Sequence, residues 1–261
     1  QKFSEMVQTP KPKVATPEYK VTVKRDTIAK RRTIEDFEDT NDDIEKKVKE
    51  SLLRYFEKTN TEIFLSEADV VLALLRSVSA THYLHVGNSL AIRYVNLFYG
   101  LSNFPFIYCN RGTSGIDGSM STAAGAAYAN PNQIHTLVVG DISFFYDSNA
   151  LWNQFLTPNL KIIVIHNGGG GIFKIIPGPD TTAQLEDYFV TSHPYSAEYI
   201  CKAFNVEYLS ANSIETLEME LVNLYQPTSN NRPALLEVFT PSELNDKELK
   251  RYFNTIRNAS K

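Results

Sequence analysis

Two runs constrain this chain more than anything else in it: HTLVVG at 135–140 and KIIVIH at 161–166. Both are continuous apolar, β-branched segments rather than alternating ones. Successive side chains of a strand point to opposite faces, so such a run is stable only when both faces are covered. That is the situation of a strand inside a parallel sheet with helices on each side. Four further runs fit the same scheme: HYLHV (82–86), FPFIYC (104–109), VEYLS (206–210) and ALLEVF (234–239). A helix is expected at 66–79, with Ser66 and Asp69 as a capping-box start, and others between the later strands. The reading is an α/β fold, doubly wound, with a mostly parallel six-stranded sheet and helices on both faces.

Charge and glycine divide the chain unevenly. Residues 1–60 hold 26 of the 56 charged residues and no glycine, while all twelve glycines fall between Gly87 and Gly178. Residues 1–60 read as a linker or the remnant of a central domain, and 61–261 as the α/β domain. Within the first segment, prolines at 10, 12 and 17 favour an extended start. EYKVTV suits a short strand, and 41–58 an amphipathic surface helix. Lys30, Arg31 and Arg32 have four acidic residues close by and read as a solvated loop. A net charge of −4 offers no general field for nucleic acid. The two cysteines, Cys109 and Cys201, suit a reducing compartment. No apolar run approaches the roughly 20 residues of a membrane span. A cytoplasmic protein is expected.

In open parallel sheets ligands bind beyond the carboxyl ends of the strands. Four consecutive predicted strand ends carry polar or glycine-rich turns: Gly87-Asn88-Ser89, NRGTSGIDG (110–118), Asp141-Ile142-Ser143 and NGGGGIF (167–173). Asp141 offers a hard carboxylate, Asn167 an amide oxygen, and the glycines a bare carbonyl. Magnesium prefers six oxygens and commonly shares them with substrate phosphates. The glycines also allow close approach of an anion to backbone amides. Taken alone, Asp141 reads as a helix N-cap and the four glycines as a flexible loop; the pair on adjacent strands favours a metal and diphosphate site. Arg93 and Arg111 follow two of these ends and could bind carboxylates as guanidinium forks, with a surface salt bridge the plainer reading of Arg93. His166 reads as bonded to backbone, Asp117 as a helix cap, and Trp152 with Phe144, Phe145 and Tyr146 as core. Glu62 and Glu67 read as linker or helix surface.

GD, a spacer and then N with glycines resembles the thiamine diphosphate motif, with Ile142 where that motif usually has a third glycine. VGNSLAIR, CNRGTSGIDGSMSTAAGAA, VVGDISFFYDSNAL and IIVIHNGGGGIF together resemble one branch of that superfamily, the 2-succinyl-5-enolpyruvyl-6-hydroxy-3-cyclohexene-1-carboxylate synthases of menaquinone biosynthesis. The resemblance is dense over 82–178. It implies a thiamine diphosphate-binding fold and a transferase that decarboxylates 2-oxoglutarate and adds the resulting carbanion 1,4 to isochorismate. It implies thiamine diphosphate and Mg2+ (or Mn2+), the metal held by Asp141, Asn167 and the Gly169 carbonyl. Ile142, Ser143 and Gly170 would line the diphosphate, and Asn88 and Ser89 would approach it and the reaction centre. Ile116 would prop the bent thiamine, and the Ser114 carbonyl would hold its amino group. Ile172 and Phe173 would form an apolar wall, and Arg93 and Arg111 would bind substrate carboxylates.

Enzymes of this class are similar to one another in completing the site with an N-terminal pyrimidine-binding domain from a partner subunit, which supplies an activating glutamate. No such unit is found here. The chain therefore reads as the diphosphate-binding portion of a larger enzyme, a homodimer or homotetramer, and as inactive alone. The alternatives are another thiamine diphosphate decarboxylase or synthase acting on 2-oxo acids, and a non-catalytic nucleotide-type binding domain.

Overall fold

A computed structural model describes residues 65–79, 81–98 and 106–259. The expectations for 1–60, for Glu62 and for the start of the 104–109 run lie outside these residues. The six described strands are β1 (Tyr83–Val86), β2 (Ile107–Tyr108), β3 (His135–Gly140), β4 (Leu160–His166), β5 (Glu207–Ala211) and β6 (Ala234–Phe239). They form one sheet in the order β2-β1-β3-β4-β6-β5. Every neighbouring pair is parallel, so the sheet expected to be mostly parallel is wholly so.

The described α-helices are α1 (Glu67–Ser77), α2 (Leu90–Phe98), α3 (Ser119–Ala129), α4 (Asp141–Tyr146), α5 (Glu198–Ala203), α6 (Ile214–Leu224) and α7 (Ser242–Ala259). The α1 start is the expected capping box: Asp69 N donates to Ser66 Oγ at 3.2 Å and Ser66 N to Asp69 Oδ2 at 3.0 Å. Asp117 does not cap α3; Gly118 holds the N-cap position, with no side-chain cap bond. Short 3-10 turns and a π-helical turn at Leu185–Val190 fill much of the stretch between β4 and α5.

Two cores explain why the middle residues of β3 and β4 are apolar on both faces. Val138, Ile163 and Ile165 face one side with residues of α1, α2, α6 and α7, while Leu137, Val139, Ile162 and Val164 face the other with α3, α4 and α5. All seven are at most 4 % exposed. Full burial of side chains of this size stabilises the fold by about 1.5–3 kcal/mol each. Trp152 and Tyr146 belong to neither core and are 71 % and 64 % exposed, contrary to the sequence reading, whereas Phe144 is fully buried.

The strand order sets the site. From β1 the chain moves outward to β2, then returns to place β3 on the other flank of β1. The crossovers on the two sides diverge, leaving a crevice at the carboxyl ends of β1 and β3. Close approach is built in at Gly87, where a Cβ would stand 2.9 Å from Val139 Cγ1. Among the described residues no helix is long and apolar enough to cross a membrane.

Candidate functional site

A cavity of about 330 Å3 opens at this switch point. Eleven of the fourteen residues singled out from the sequence line it: Asn88, Ser89, Ile116, Asp141, Ile142, Ser143, Asn167, Gly169, Gly170, Ile172 and Phe173. They come from the ends of β1, β3 and β4 and from the loop after β2. Two lining residues, Ser89 (φ 72°) and Thr191 (φ 49°), hold left-handed backbone despite their side chains. Such conformations cost of order 1–3 kcal/mol and concentrate at functional sites.

Asp141 is not the N-cap of α4. Gly140 takes that position, and Asp141 is the first helical residue. Its carboxylate is 1 % exposed. Oδ1 accepts from Ile142 N at 2.8 Å, and Oδ2 accepts from Gly168 N at 2.7 Å and Gly169 N at 3.0 Å. His193 Nε2 lies 3.3 Å from Oδ2. Burial pushes the Asp141 carboxyl up, against the Ile142 amide, His166, His193 and the Gly168 amide, which favour the anion. Asn167 Oδ1 accepts from Gly169 N at 3.0 Å.

The glycine run is packed, not loose. Gly170 N donates to Val190 O at 2.7 Å, and His193 N to Gly168 O at 3.1 Å. A Cβ on Gly169 would stand 2.7 Å from Val190 O, and one on Gly170 2.9 Å from Phe189 O. Only glycines allow the β4 end to nest against the π-helical turn, a feature frequent at functional sites.

Asn88 is 2 % exposed, and its carboxamide holds the loop after β2. Nδ2 donates to Asn110 O at 3.1 Å and Gly115 O at 2.6 Å, and Oδ1 accepts from Arg111 Nη1 at 2.8 Å. Ser143 Oγ donates to Ile116 O at 2.6 Å, which fixes Ile116 at the cavity wall. Arg93, Arg111 and Ser114 do not line the cavity; all three are exposed beside it. Arg93 Nη1 donates to Ser89 O at 2.6 Å. Each arginine is thus tethered to a residue that does line the cavity. Ser114 has φ 57°.

Sequence reasoning missed Glu67. It is 2 % exposed rather than on a helix surface, and it lines the cavity. Its carboxylate accepts from Asn167 Nδ2. Burial raises the Glu67 carboxyl to about 7, helped by the Asp141 charge and opposed by the Asn167 amide and the Tyr94 hydroxyl. The signal was available: the capping box puts Glu67 at the first position of α1. A helix leading into a parallel strand begins at the end of the sheet where the strands finish. His166 was also misread, since its side chain bonds Glu237 Oε1 at 2.7 Å rather than backbone.

The donor set suits a hard divalent cation: a carboxylate, an amide oxygen and a backbone carbonyl bordering one cavity. Two buried carboxyls, Glu67 and Asp141, meet there, and the charge partners of Asp141 are two histidines. A cation would offset that imbalance.

Comparisons with known proteins bear on the family and the fold. The family of thiamine pyrophosphate enzymes, C-terminal TPP binding domain, matches residues 91–238. Curated 2-succinyl-5-enolpyruvyl-6-hydroxy-3-cyclohexene-1-carboxylate synthases from Christiangramia forsetii and Flavobacterium johnsoniae are 43% and 44% identical over 196 residues, covering 75% of this chain. They are matched over 33% and 35% of their own length, so the chain spans about a third of these relatives. A solved Mycobacterium smegmatis protein, provisionally classed as a thiamin diphosphate-dependent enzyme, superposes with a TM-score of 0.53 at 21% identity. That match covers 68% of this chain and 32% of the other, and it bears on the fold alone. The family match runs from α2 to β6, over more than half of the chain, and on that ground the protein belongs to the thiamine pyrophosphate enzymes through their C-terminal TPP-binding domain.

Proposed function

We propose that this chain is the diphosphate- and metal-binding part of a 2-succinyl-5-enolpyruvyl-6-hydroxy-3-cyclohexene-1-carboxylate synthase, with Mg2+ or Mn2+ as its ion. The observation that carries the reading is the meeting of Asp141, Asn167 and Gly169 on the wall of one cavity at the switch point. Bound there, thiamine diphosphate would supply a carbon nucleophile and a sink for the electron pair that a 2-oxo acid gives up with carbon dioxide.

The chain's own residues then have assigned work. Asp141, Asn167 and the Gly169 carbonyl would hold the ion. The backbone of Ile142, Ser143 and Gly170 would face the phosphates, while the Ser143 hydroxyl is spent on Ile116 O. Ile116, held by Ser143, would be the apolar prop for the cofactor, and the Ser114 carbonyl would take its amino group. Asn88 shapes the loop that carries Ile116, and Asn88 and Ser89 would approach the diphosphate and the reaction centre. Ile172 and Phe173 keep water from the reacting carbon.

Arg93 and Arg111 stand at the rim. Each guanidinium has five N–H donors, so its tether leaves capacity for a carboxylate. The proposed substrates, 2-oxoglutarate and isochorismate, each carry two. The remaining groups belong to a partner subunit's N-terminal domain in a homodimer or homotetramer, and the chain alone is read as inactive.

The test is calorimetric titration with thiamine diphosphate in the presence of Mg2+. Asp141→Ala is expected to weaken binding by more than about 100-fold, beyond the usual cost of losing a residue that only supports a ligand. Unchanged affinity overturns the metal assignment.

A further inference from the structure

The proposed site depends on the orientation of one side chain. A carboxamide has an oxygen and a nitrogen of nearly equal size, and only the oxygen serves a hard cation. Something must decide which end of Asn167 faces the ion. Glu67 Oε1 accepts from Asn167 Nδ2. A carboxyl oxygen can take that bond whatever its protonation, but it cannot donate through an unprotonated oxygen to Asn167 Oδ1. The amide is thereby turned with Oδ1 away from Glu67, where Gly169 N reaches it at 3.0 Å.

Glu67 is itself held by a closed circuit of buried bonds. Glu67 N donates to Asn245 Oδ1 at 3.1 Å, and Asn245 Nδ2 to Thr240 Oγ1 at 3.1 Å. Thr240 N then donates to His166 O at 2.9 Å, and His166 directly precedes Asn167. The circuit joins the start of α1, α7, the end of β6 and the end of β4. Meanwhile, among the described residues, Glu67 Oε2 is buried with no hydrogen bond of ordinary length, and the Tyr94 hydroxyl lends the carboxylate only a weaker pull. An acid kept only for stability would be satisfied on both oxygens at this depth. Glu67 also lies outside the stretch matched by the family, residues 91–238.

We infer that Glu67 is a positioning residue for the cation: it holds the Asn167 carboxamide with Oδ1 toward the metal without touching the metal itself. This rests on the reading of Asn167 as a ligand. Glu67→Gln is nearly isosteric but presents an NH2 group that can donate to Asn167 Oδ1, which releases or reverses the amide. Asn167→Asp removes the choice of end, because a carboxylate has two like oxygens.

The experiment titrates Mn2+ into the chain with thiamine diphosphate present and follows loss of the free-ion electron paramagnetic resonance signal. Glu67→Gln is expected to lower Mn2+ affinity by roughly 10–100-fold, the usual cost of removing a residue that orients a ligand. In an Asn167→Asp background the same substitution is expected to cost nothing. Parent-like affinity in Glu67→Gln overturns the proposal. So does an equal loss in both backgrounds, which marks a structural role. Asp141→Ala binding Mn2+ as the parent does would sink the site reading itself and distinguishes the two failures. Should Glu67→Gln fail to fold, the Asn167 Nδ2 protons of the unaltered chain give the answer by nuclear magnetic resonance without metal. Slow exchange and a downfield shift are expected; freely exchanging protons overturn the assignment.

Discussion

Glu237 and Glu67 are two buried glutamates that meet consecutive residues at the end of β4, His166 and Asn167, yet their surroundings differ in kind. Glu237, fully buried in β6, accepts from His166 Nδ1 at 2.7 Å, Ser196 Oγ at 2.6 Å, Tyr208 OH at 2.7 Å and Ala197 N at 3.0 and 3.2 Å. Burial pushes its carboxyl up, but those donors outweigh burial and hold it below the usual carboxylate range. Glu67, 2 % exposed, receives the Asn167 amide on one oxygen, and among the described residues no donor stands at ordinary hydrogen-bond length from the other. Burial wins there, and the carboxyl rises to about 7. Depth alone therefore does not separate a structural acid from one at a binding site; the supply of donors does.

The contrast can be broken in three ways, the largest first. Glu237→Gln places an NH2 group among donors that need an acceptor. Urea denaturation should show a loss of about 3–5 kcal/mol, as when one member of a buried charged network is removed. A loss under about 1 kcal/mol would mean that the donors are not what hold this acid.

The second test uses pH on the metal-free, cofactor-free chain. Glu67 binds its proton more tightly folded, near 7, than at the ordinary value of 4.5. Its contribution is full below pH 4.5 and is lost as pH rises to 7, a fall of about 3 kcal/mol over that window. Glu237 has the opposite sign: its contribution is present above its ordinary value and is lost as pH falls through its lowered one. Glu67→Gln should remove the falling limb between pH 4.5 and 7. If stability profiles of parent and variant run parallel there, the contrast fails.

The smallest effect is expected from Tyr208→Phe, which removes one donor and leaves the others on Glu237. Denaturation should register a loss of about 1 kcal/mol. A cost as large as that of Glu237→Gln would instead assign the stability to the tyrosine.

Much of this was legible in the sequence, and the parts that were not share a cause. HTLVVG and KIIVIH announce a covered parallel sheet because alternate side chains enter opposite cores. Ser66 and Asp69 announce the start of α1 because the cap closes within one turn. The polar turns after β1, β3 and β4 point to the cavity because a parallel sheet collects its carboxyl ends on one edge. By contrast, the bond between Glu67 and Asn167 spans 100 residues and that between His166 and Glu237 spans 71. Nothing local in a glutamate beside Ser66, or a histidine closing an apolar run, states its partner. Exposed Trp152 was misjudged for the same reason, since apolar character does not say which neighbours remain to cover it.

The sequence by itself determined the type of fold, the edge of the sheet that carries the site and the residue types offered there, because periodicity, capping and turn chemistry act over a few residues. Only the tertiary structure decided which end of Asn167 meets Glu67, which buried acid is satisfied and which is left short of donors. Those outcomes depend on distances between segments that the chain order does not encode.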